Sequence, residues 1–119
     1  MKIETHELAT TRIAEIQSDQ MLIKTVEDGL DLLGNLYYQG FDKIILFEQN
    51  ITPDLFDLKN GIAGEVLQKF SNYRVRLAIV GDFTKYQGNS LRDFIHESNK
   101  GRQVCFVPSL SEALLKLGT

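Results

Sequence analysis

Two runs near the N-terminus alternate between apolar and polar residues. Residues 2–8 and 11–16 each show the period of two that is typical of a strand with one face exposed to solvent. Ala9 and Thr10 lie between the runs and predict the turn of a hairpin. The chain is therefore expected to begin with two antiparallel strands.

Three later segments predict buried strands: residues 43–47, 75–80 and 103–107. The first two are apolar at positions that would point to both faces of a sheet, as expected of parallel strands covered on both sides. Segments with the spacing of amphipathic helices lie before, between and after the three strands. They open near residues that suit a helix N-terminus: Thr25, Pro53, Ser90 and Ser109.

Glycines are expected to shape these helices in two ways. Gly40 and Gly101 are predicted to end the first and third helices, and Gly101 is expected to adopt a left-handed conformation. Gly61 and Gly64 weaken the second helix intrinsically. They are expected to let the first turns of that helix lie close to the sheet.

The predicted order of elements is β-β-α-β-α-β-α-β-α. Since right-handed crossovers join parallel strands, this order predicts an α/β fold in which the N-terminal hairpin and three parallel strands form one mixed sheet covered by helices. The whole chain, residues 1–119, is expected to be a single domain. A chain of this length can bury a core without a disulfide or a structural metal.

Charge and composition narrow the range of partners. The formal net charge is −3 and the cations are scattered, which argues against a protein that binds a nucleic-acid backbone. No segment approaches the roughly 20 consecutive apolar residues that span a bilayer. Cys105 is the single cysteine, so no internal disulfide can form. These features predict a cytoplasmic protein whose partners include neither nucleic acid nor a membrane.

Two carboxylates follow the first two predicted parallel strands. Ligands of open α/β sheets usually bind beyond the carboxyl ends of such strands, where Glu48 and Asp82 stand. The two could form a pair for acid–base chemistry or for a cation. No histidine or third acid lies near either in sequence, so the pattern favours two solvated strand ends, with Asp82 capping a turn.

The longest irregular segment, residues 82–90, offers a different chemistry. Four polar residues could hold an anion at the N-terminus of the following helix: Lys85, Asn89, Ser90 and Arg92. The segment lacks the glycine pattern of a phosphate-binding loop. A surface loop followed by an ordinary helix cap is the interpretation that the sequence favours.

No metal site or nucleophile is predicted. His6 and His96 are far apart in sequence, and neither has metal-ligand spacing with Cys105. Cys105 lies inside a predicted strand, where a thiol is typically buried and unreactive. No catalytic, cofactor-binding or metal-binding residue is therefore expected. Tyr38 is a candidate of another kind, an exposed anchor for a partner protein.

The order of elements resembles the STAS domain of anti-sigma-factor antagonists. In that family the helix after the first parallel strand opens with Asp-Ser-Ser-Gly, and a partner kinase phosphorylates one of the serines. The matching stretch here, residues 57–64, reads DLKNGIAG and carries Lys59 or Asn60 at the place of that serine. The resemblance implies a STAS-like fold without the phosphoserine switch.

Five longer sequence words are similar to a bacterial family of unknown function, the DUF-4180 family. They read FDLKNGIAGE (residues 56–65), QKFSNYR (68–74), LAIVGDF (77–83), SLRDFI (90–95) and ESNKG (97–101). Together they contain 35 of the 119 residues and lie between residues 56 and 101. This resemblance implies a bacterial cytoplasmic domain and brings no activity with it.

Taken together, these patterns predict a non-catalytic regulatory module that acts through protein–protein contacts, and a homo-oligomer is compatible with them. The alternative is a small-ligand or nucleotide-binding domain that uses the loop at residues 82–92. An enzyme that uses Glu48 and Asp82 ranks below both. The expected binding surface joins that loop to the start of the main helix and includes five charged residues: Asp57, Lys59, Asp82, Lys85 and Arg92.

Overall fold

Five strands lie side by side in sequence order in a computed structural model that describes residues 1–8 and 10–119. The strands are β1 (Lys2–Leu8), β2 (Thr11–Gln17), β3 (Lys43–Phe47), β4 (Arg76–Val80) and β5 (Val104–Val107). β1 pairs with β2 in antiparallel orientation, whereas the pairs β2–β3, β3–β4 and β4–β5 are parallel. The predicted mixed sheet is confirmed. Ala9, one of the two predicted turn residues, lies outside the described residues.

A helix follows each of the parallel strands. The helices are α1 (Val26–Tyr38), α2 (Ile62–Asn72), α3 (Asn89–Lys100) and α4 (Leu110–Leu117). Thr25 and Asp28 form the predicted capping box of α1, since the Thr25 hydroxyl accepts from the Asp28 N–H and the Asp28 carboxylate accepts from the Thr25 N–H. Two short helical turns, Pro53–Phe56 and Leu58–Asn60, lead from β3 into α2.

The two faces of the sheet carry two separate hydrophobic clusters. Successive residues of a strand enter opposite clusters, so that Ile44 packs on one face and Ile45 on the other. Residues of α1, α2 and α3 complete the larger cluster, and residues of α4 complete the smaller one. Right-handed crossovers between strands in sequence order put α1, α2 and α3 on the same face. α4 covers the other face.

Gly40 acts as predicted, whereas Gly61 and Gly64 do not. Gly40 has φ of +92° just beyond α1, as expected of a residue that ends a helix. A Cβ added at Gly61 or Gly64 would meet nothing within 4 Å, so the predicted close approach to the sheet is wrong. The close approach occurs between helices, where a Cβ at Gly29 of α1 would lie 3.2 Å from both methyl carbons of Val66 in α2.

Both ends of α3 also differ from the prediction. Ser90 lies inside the helix, and the residue before the helix is Gly88, with φ of +106° and no side-chain cap. Gly101 ends the helix, as predicted, but its φ of −91° means that the predicted left-handed turn is wrong. Asn99 holds this end in place instead. Its amide donates to the Phe106 carbonyl at 3.1 Å and accepts from the Phe106 N–H at 2.8 Å, which ties α3 to β5.

Candidate functional site

The loop that follows β4 lies beyond the carboxyl ends of the parallel strands. Its first residues are held by Asp82, whose carboxylate accepts from the Thr84 hydroxyl and from the Thr84 N–H. These two hydrogen bonds lower the pKa of the exposed Asp82 carboxyl group, because they stabilise its charged form. Asp82 therefore caps a turn, as the sequence predicts.

A cavity of about 470 Å³ opens at the ends of β4 and β5, and we call it the strand-end cavity. Most of its lining is apolar: Phe83, Leu91, Ile95, Phe106, Val107 and Pro108, with Gly81 and part of Tyr86. Asp82, Thr84 and Arg92 supply its polar groups. The cavity thus combines an apolar body with one cationic and one anionic side chain.

Aromatic rings fix the shape of this region. Phe83 meets Phe106 edge to face, with ring centroids 5.3 Å apart, and Phe106 meets Phe94 at 6.0 Å. On the other side, Phe56 lies 5.6 Å from Phe83 and 4.9 Å from Tyr86. Rings at these separations attract one another. The loop is therefore held by contacts with β5 and with the segment that precedes α2, and α3 in turn contacts β5.

A second cavity, the loop cavity, has a volume of about 530 Å³ and lies between the loop and the two helical turns before α2. Phe56, Asp57 and Lys59 line one part of it, and Tyr86 and Ser90 belong to the loop and the start of α3. The predicted surface between the loop and the start of the main helix is therefore a concave one.

A third cavity, the Glu48 cavity, has a volume of about 470 Å³. The Glu48 carboxylate in it is nearly buried, with 11 % of the side chain exposed, and its Oε2 atom lies 2.7 Å from the Lys85 Nζ atom. The same oxygen accepts from the Tyr86 hydroxyl at 2.8 Å. Burial, and then the hydrogen bond to Glu48 and its negative charge, raise the pKa of the Tyr86 hydroxyl well above its ordinary value.

The five charged residues of the predicted surface are all exposed and are divided among the three cavities. Asp82 and Arg92 line the strand-end cavity, Asp57 and Lys59 line the loop cavity, and Lys85 lines the Glu48 cavity. Tyr86 lines all three. Sequence reasoning missed Tyr86, although an aromatic residue between Lys85 and Gln87 in a polar loop could have indicated it.

The structure does not bring together the other groups that the sequence suggested. Glu48 and Asp82 line different cavities, and each accepts hydrogen bonds from its own donors, so they form no shared carboxylate pair. The four candidate anion-binding residues are also dispersed. Arg92, Ser90 and Lys85 line three different cavities, and Asn89 is exposed at the start of α3.

The remaining candidates lie away from the loop or stand alone. His6 of β1 lies 2.7 Å from the Glu15 carboxylate in the hairpin, and His96 is exposed on α3. Cys105 is buried in β5, and its burial raises the pKa of the thiol. In residues 1–8 and 10–119, no three His, Cys, Asp or Glu side chains are placed to hold a metal ion. Tyr38 is 93 % exposed on α1.

Comparison with known proteins adds one family match. A family model described as "Domain of unknown function (DUF4180)" matches residues 8–117, which include all four helices and the loop around Tyr86. No curated protein and no solved structure matches the chain. None of the helices in the described part of the chain is long and apolar enough to cross a membrane.

Proposed function

We infer that this chain, which belongs to the family of the domain of unknown function DUF4180, is a non-catalytic domain that binds a small organic ligand in the strand-end cavity. The cavity is the observation that supports this proposal. Its volume of about 470 Å³ lies within the range typical of small-molecule sites, and it opens at the carboxyl ends of two parallel strands.

The reactivity of nearby groups supports binding without catalysis. The Asp82 carboxylate is exposed and already accepts two hydrogen bonds from Thr84. The only thiol of the chain, at Cys105, is buried and has a raised pKa, so little thiolate forms near neutral pH. A domain that used either group as a nucleophile or base would need it accessible and with its pKa close to the working pH.

The lining of the cavity suggests the kind of ligand. Phe83 and Phe106 offer ring surfaces to a planar apolar body. Arg92 is the one cation among the described residues that line this cavity, and Asp82 is its one carboxylate. A small aromatic molecule with a single acidic group suits this set better than a nucleotide, whose phosphates would require several cations.

The test is a titration of small-molecule fragments into the labelled protein, monitored by NMR. Aromatic monocarboxylates and their neutral amides are titrated into the wild type, Ile95→Trp and Leu115→Trp. Ile95→Trp should fill the cavity and weaken binding by about tenfold or more. Leu115 is 71 % exposed on α4 and provides the matched control, with binding unchanged. Fragments that bind Ile95→Trp as well as the wild type would contradict the proposal.

A second candidate function is a regulatory protein–protein interaction module with STAS-like topology, in the bacterial cytoplasm. It is supported by the surroundings of Tyr86, where apolar rings are bordered by exposed charged residues such as Lys85 and Arg92. An apolar centre with a polar rim is typical of protein interfaces. The order of the elements, in which the chain resembles STAS domains, also favours it.

A pull-down from a lysate of the native host tests this second candidate. The Lys85→Ala, Arg92→Ala double variant should recover the partner at a yield about tenfold lower than the wild type. Leu115→Trp again serves as the control, because it alters an exposed residue of α4 far along the chain from the loop. Recovery of the same partner at undiminished yield would place the binding surface elsewhere, and Tyr38 would then be tested.

A further inference from the structure

The ion pair between Glu48 and Lys85 joins two side chains in very different environments. The Glu48 side chain is 11 % exposed, whereas that of Lys85 is 58 % exposed. Burial of a carboxylate is costly unless a cation or hydrogen-bond donors compensate its charge. The compensating cation here stands largely in solvent, and an ion pair with so exposed a lysine is weak. The Lys85 ammonium group can therefore be exchanged for another cation.

The position of Glu48 is fixed by its packing. A Cβ added at Gly81 would lie 2.5 Å from the Glu48 Cβ and 2.7 Å from its Oε1 atom, so the end of β4 leaves this space to the Glu48 side chain. Within the described residues, the Tyr86 hydroxyl and the Lys85 ammonium both reach Oε2. These two donors and the contact with Gly81 hold the carboxylate in place.

Apolar side chains form part of the walls around this carboxylate. The residues that line the Glu48 cavity with an apolar side chain are Met21, Phe47, Ile51, Pro53 and Val80. Glu48 is the one carboxylate among the described residues that line the cavity. A buried negative charge beside hydrocarbon surface is complementary to a positive charge that carries a hydrocarbon chain.

We propose that Glu48 binds the ammonium group of a small alkyl amine in place of Lys85. The alkyl part lies against the apolar walls of the cavity, and the Tyr86 hydroxyl continues to donate to Glu48. The displaced Lys85 side chain extends into solvent. This site is additional to the strand-end cavity, although the two cavities share Gly81 and Tyr86 as lining residues.

A purely structural role of the ion pair makes a different prediction. If Lys85 served only to fasten the loop, its removal would not improve the binding of any amine. If Lys85 occupies the place of a ligand, Lys85→Ala removes a competitor and improves amine binding. The sign of the effect of Lys85→Ala therefore separates the two explanations.

The experiment is an NMR titration of the labelled protein with n-butylamine at neutral pH, where the amine is protonated, and with n-butanol as its uncharged counterpart. Chemical-shift changes of the Val80 and Gly81 amides report on binding. Butylammonium should bind the wild type. It should bind Lys85→Ala about tenfold more tightly than the wild type, and Glu48→Gln about tenfold more weakly. Lys69→Ala changes an exposed lysine of α2 that lies outside the cavity and should bind as the wild type does. Butanol should not bind.

Equal binding of butylammonium to the wild type and Lys85→Ala would overturn the proposal, as would equal binding of butanol and butylammonium. Undiminished binding to Glu48→Gln would overturn it too. Should Glu48→Gln fail to fold, the comparison of Lys85→Ala with the wild type and of the two probes still decides the question. Neither comparison depends on the strand-end cavity, so failure here leaves the proposed function untouched.

Discussion

Gly81 and Glu48 are packed so closely that a Cβ at position 81 would stand 2.5 Å from the Cβ of Glu48. Gly81 directly follows β4 and Glu48 directly follows β3, and these two strands are parallel neighbours in the sheet. Because Glu48 also accepts the Tyr86 hydroxyl and the Lys85 ammonium group, this contact links the end of the sheet to the loop that carries all three cavities. The shape of the candidate site therefore depends on the absence of a side chain at position 81.

Gly81→Ala is expected to lower the free energy of unfolding by about 1–3 kcal/mol, because the methyl group overlaps Glu48 and either the side chain or the strand end must shift. Urea denaturation followed by circular dichroism measures the change. Gly64→Ala is the matched control. It lies exposed in α2, nothing would lie within 4 Å of its Cβ, and the change should stabilise the protein by about 0.5–1 kcal/mol. Similar effects of the two variants would contradict the interpretation.

Tyr86 is expected to make the stability depend on alkaline pH. The raised pKa of its hydroxyl in the folded state means that the unfolded chain loses this proton first as the pH rises. The stabilisation is thus complete below the ordinary tyrosine pKa of 10.0 and is lost as the pH rises from there through the higher pKa of the folded state. Tyr86→Phe removes this contribution but keeps the ring beside Phe56.

The measurement compares the free energies of unfolding of the wild type and Tyr86→Phe in urea at several pH values. The wild type should be more stable by about 1 kcal/mol near neutral pH, the typical contribution of one hydrogen bond. The difference should shrink as the pH rises above 10.0, the ordinary pKa of the group. Tyr38→Phe is the control, because the Tyr38 side chain is 93 % exposed on α1. A difference that stays constant with pH would refute the prediction.

Much of the fold could be predicted from the sequence because its determinants are local. The apolar runs at 43–47 and 75–80 indicated buried strands, and Thr25 with Asp28 indicated the start of α1 through a capping box four residues long. Such signals depend on neighbouring positions. The structure confirms them with small shifts at the strand ends.

The candidate site could be predicted only in part, since its contacts join distant positions. The carboxyl ends of the parallel strands indicated the end of the sheet where the three cavities lie. The contact between Glu48 and Tyr86 could not be predicted in this way, because the two residues are 38 residues apart in sequence. No local sequence pattern indicates that Tyr86 lines three cavities, or that the Glu48 side chain occupies the space where a side chain at position 81 would lie. Asn99 was missed for a different reason: its partner Phe106 is only seven residues away, but no sequence motif indicates a side-chain bond from a helix to the next strand.

Cys105 is expected to be unreactive in the folded protein. Its side chain is buried in β5, and burial raises the pKa of the thiol, so that little thiolate is present and reagents cannot reach it. Ellman's reagent at mildly alkaline pH should therefore react with the native protein at least about a hundredfold more slowly than with the protein in urea. Free glutathione in both solvents controls for the effect of urea on the reagent. Fast reaction of the native protein would show that β5 opens readily.

Asn99 is expected to contribute more to stability than its place near a helix end suggests. Its amide makes two hydrogen bonds with the backbone of Phe106, an aromatic residue that also lines the strand-end cavity. Asn99→Ala leaves the Phe106 N–H and carbonyl without these partners and should lower the free energy of unfolding by about 1–3 kcal/mol. Asn35→Ala is the control, because the Asn35 side chain is exposed on α1 and bonds to the exposed Gln39. It should change stability by less than about 0.5 kcal/mol.

Hydrogen exchange adds a local measurement of the same contact. The Phe106 amide should exchange at least about tenfold faster in Asn99→Ala than in Asn35→Ala. Equal exchange in the two variants would mean that β5 is held by the sheet and α4 alone, and that the contact with α3 adds nothing to the position of the cavity wall.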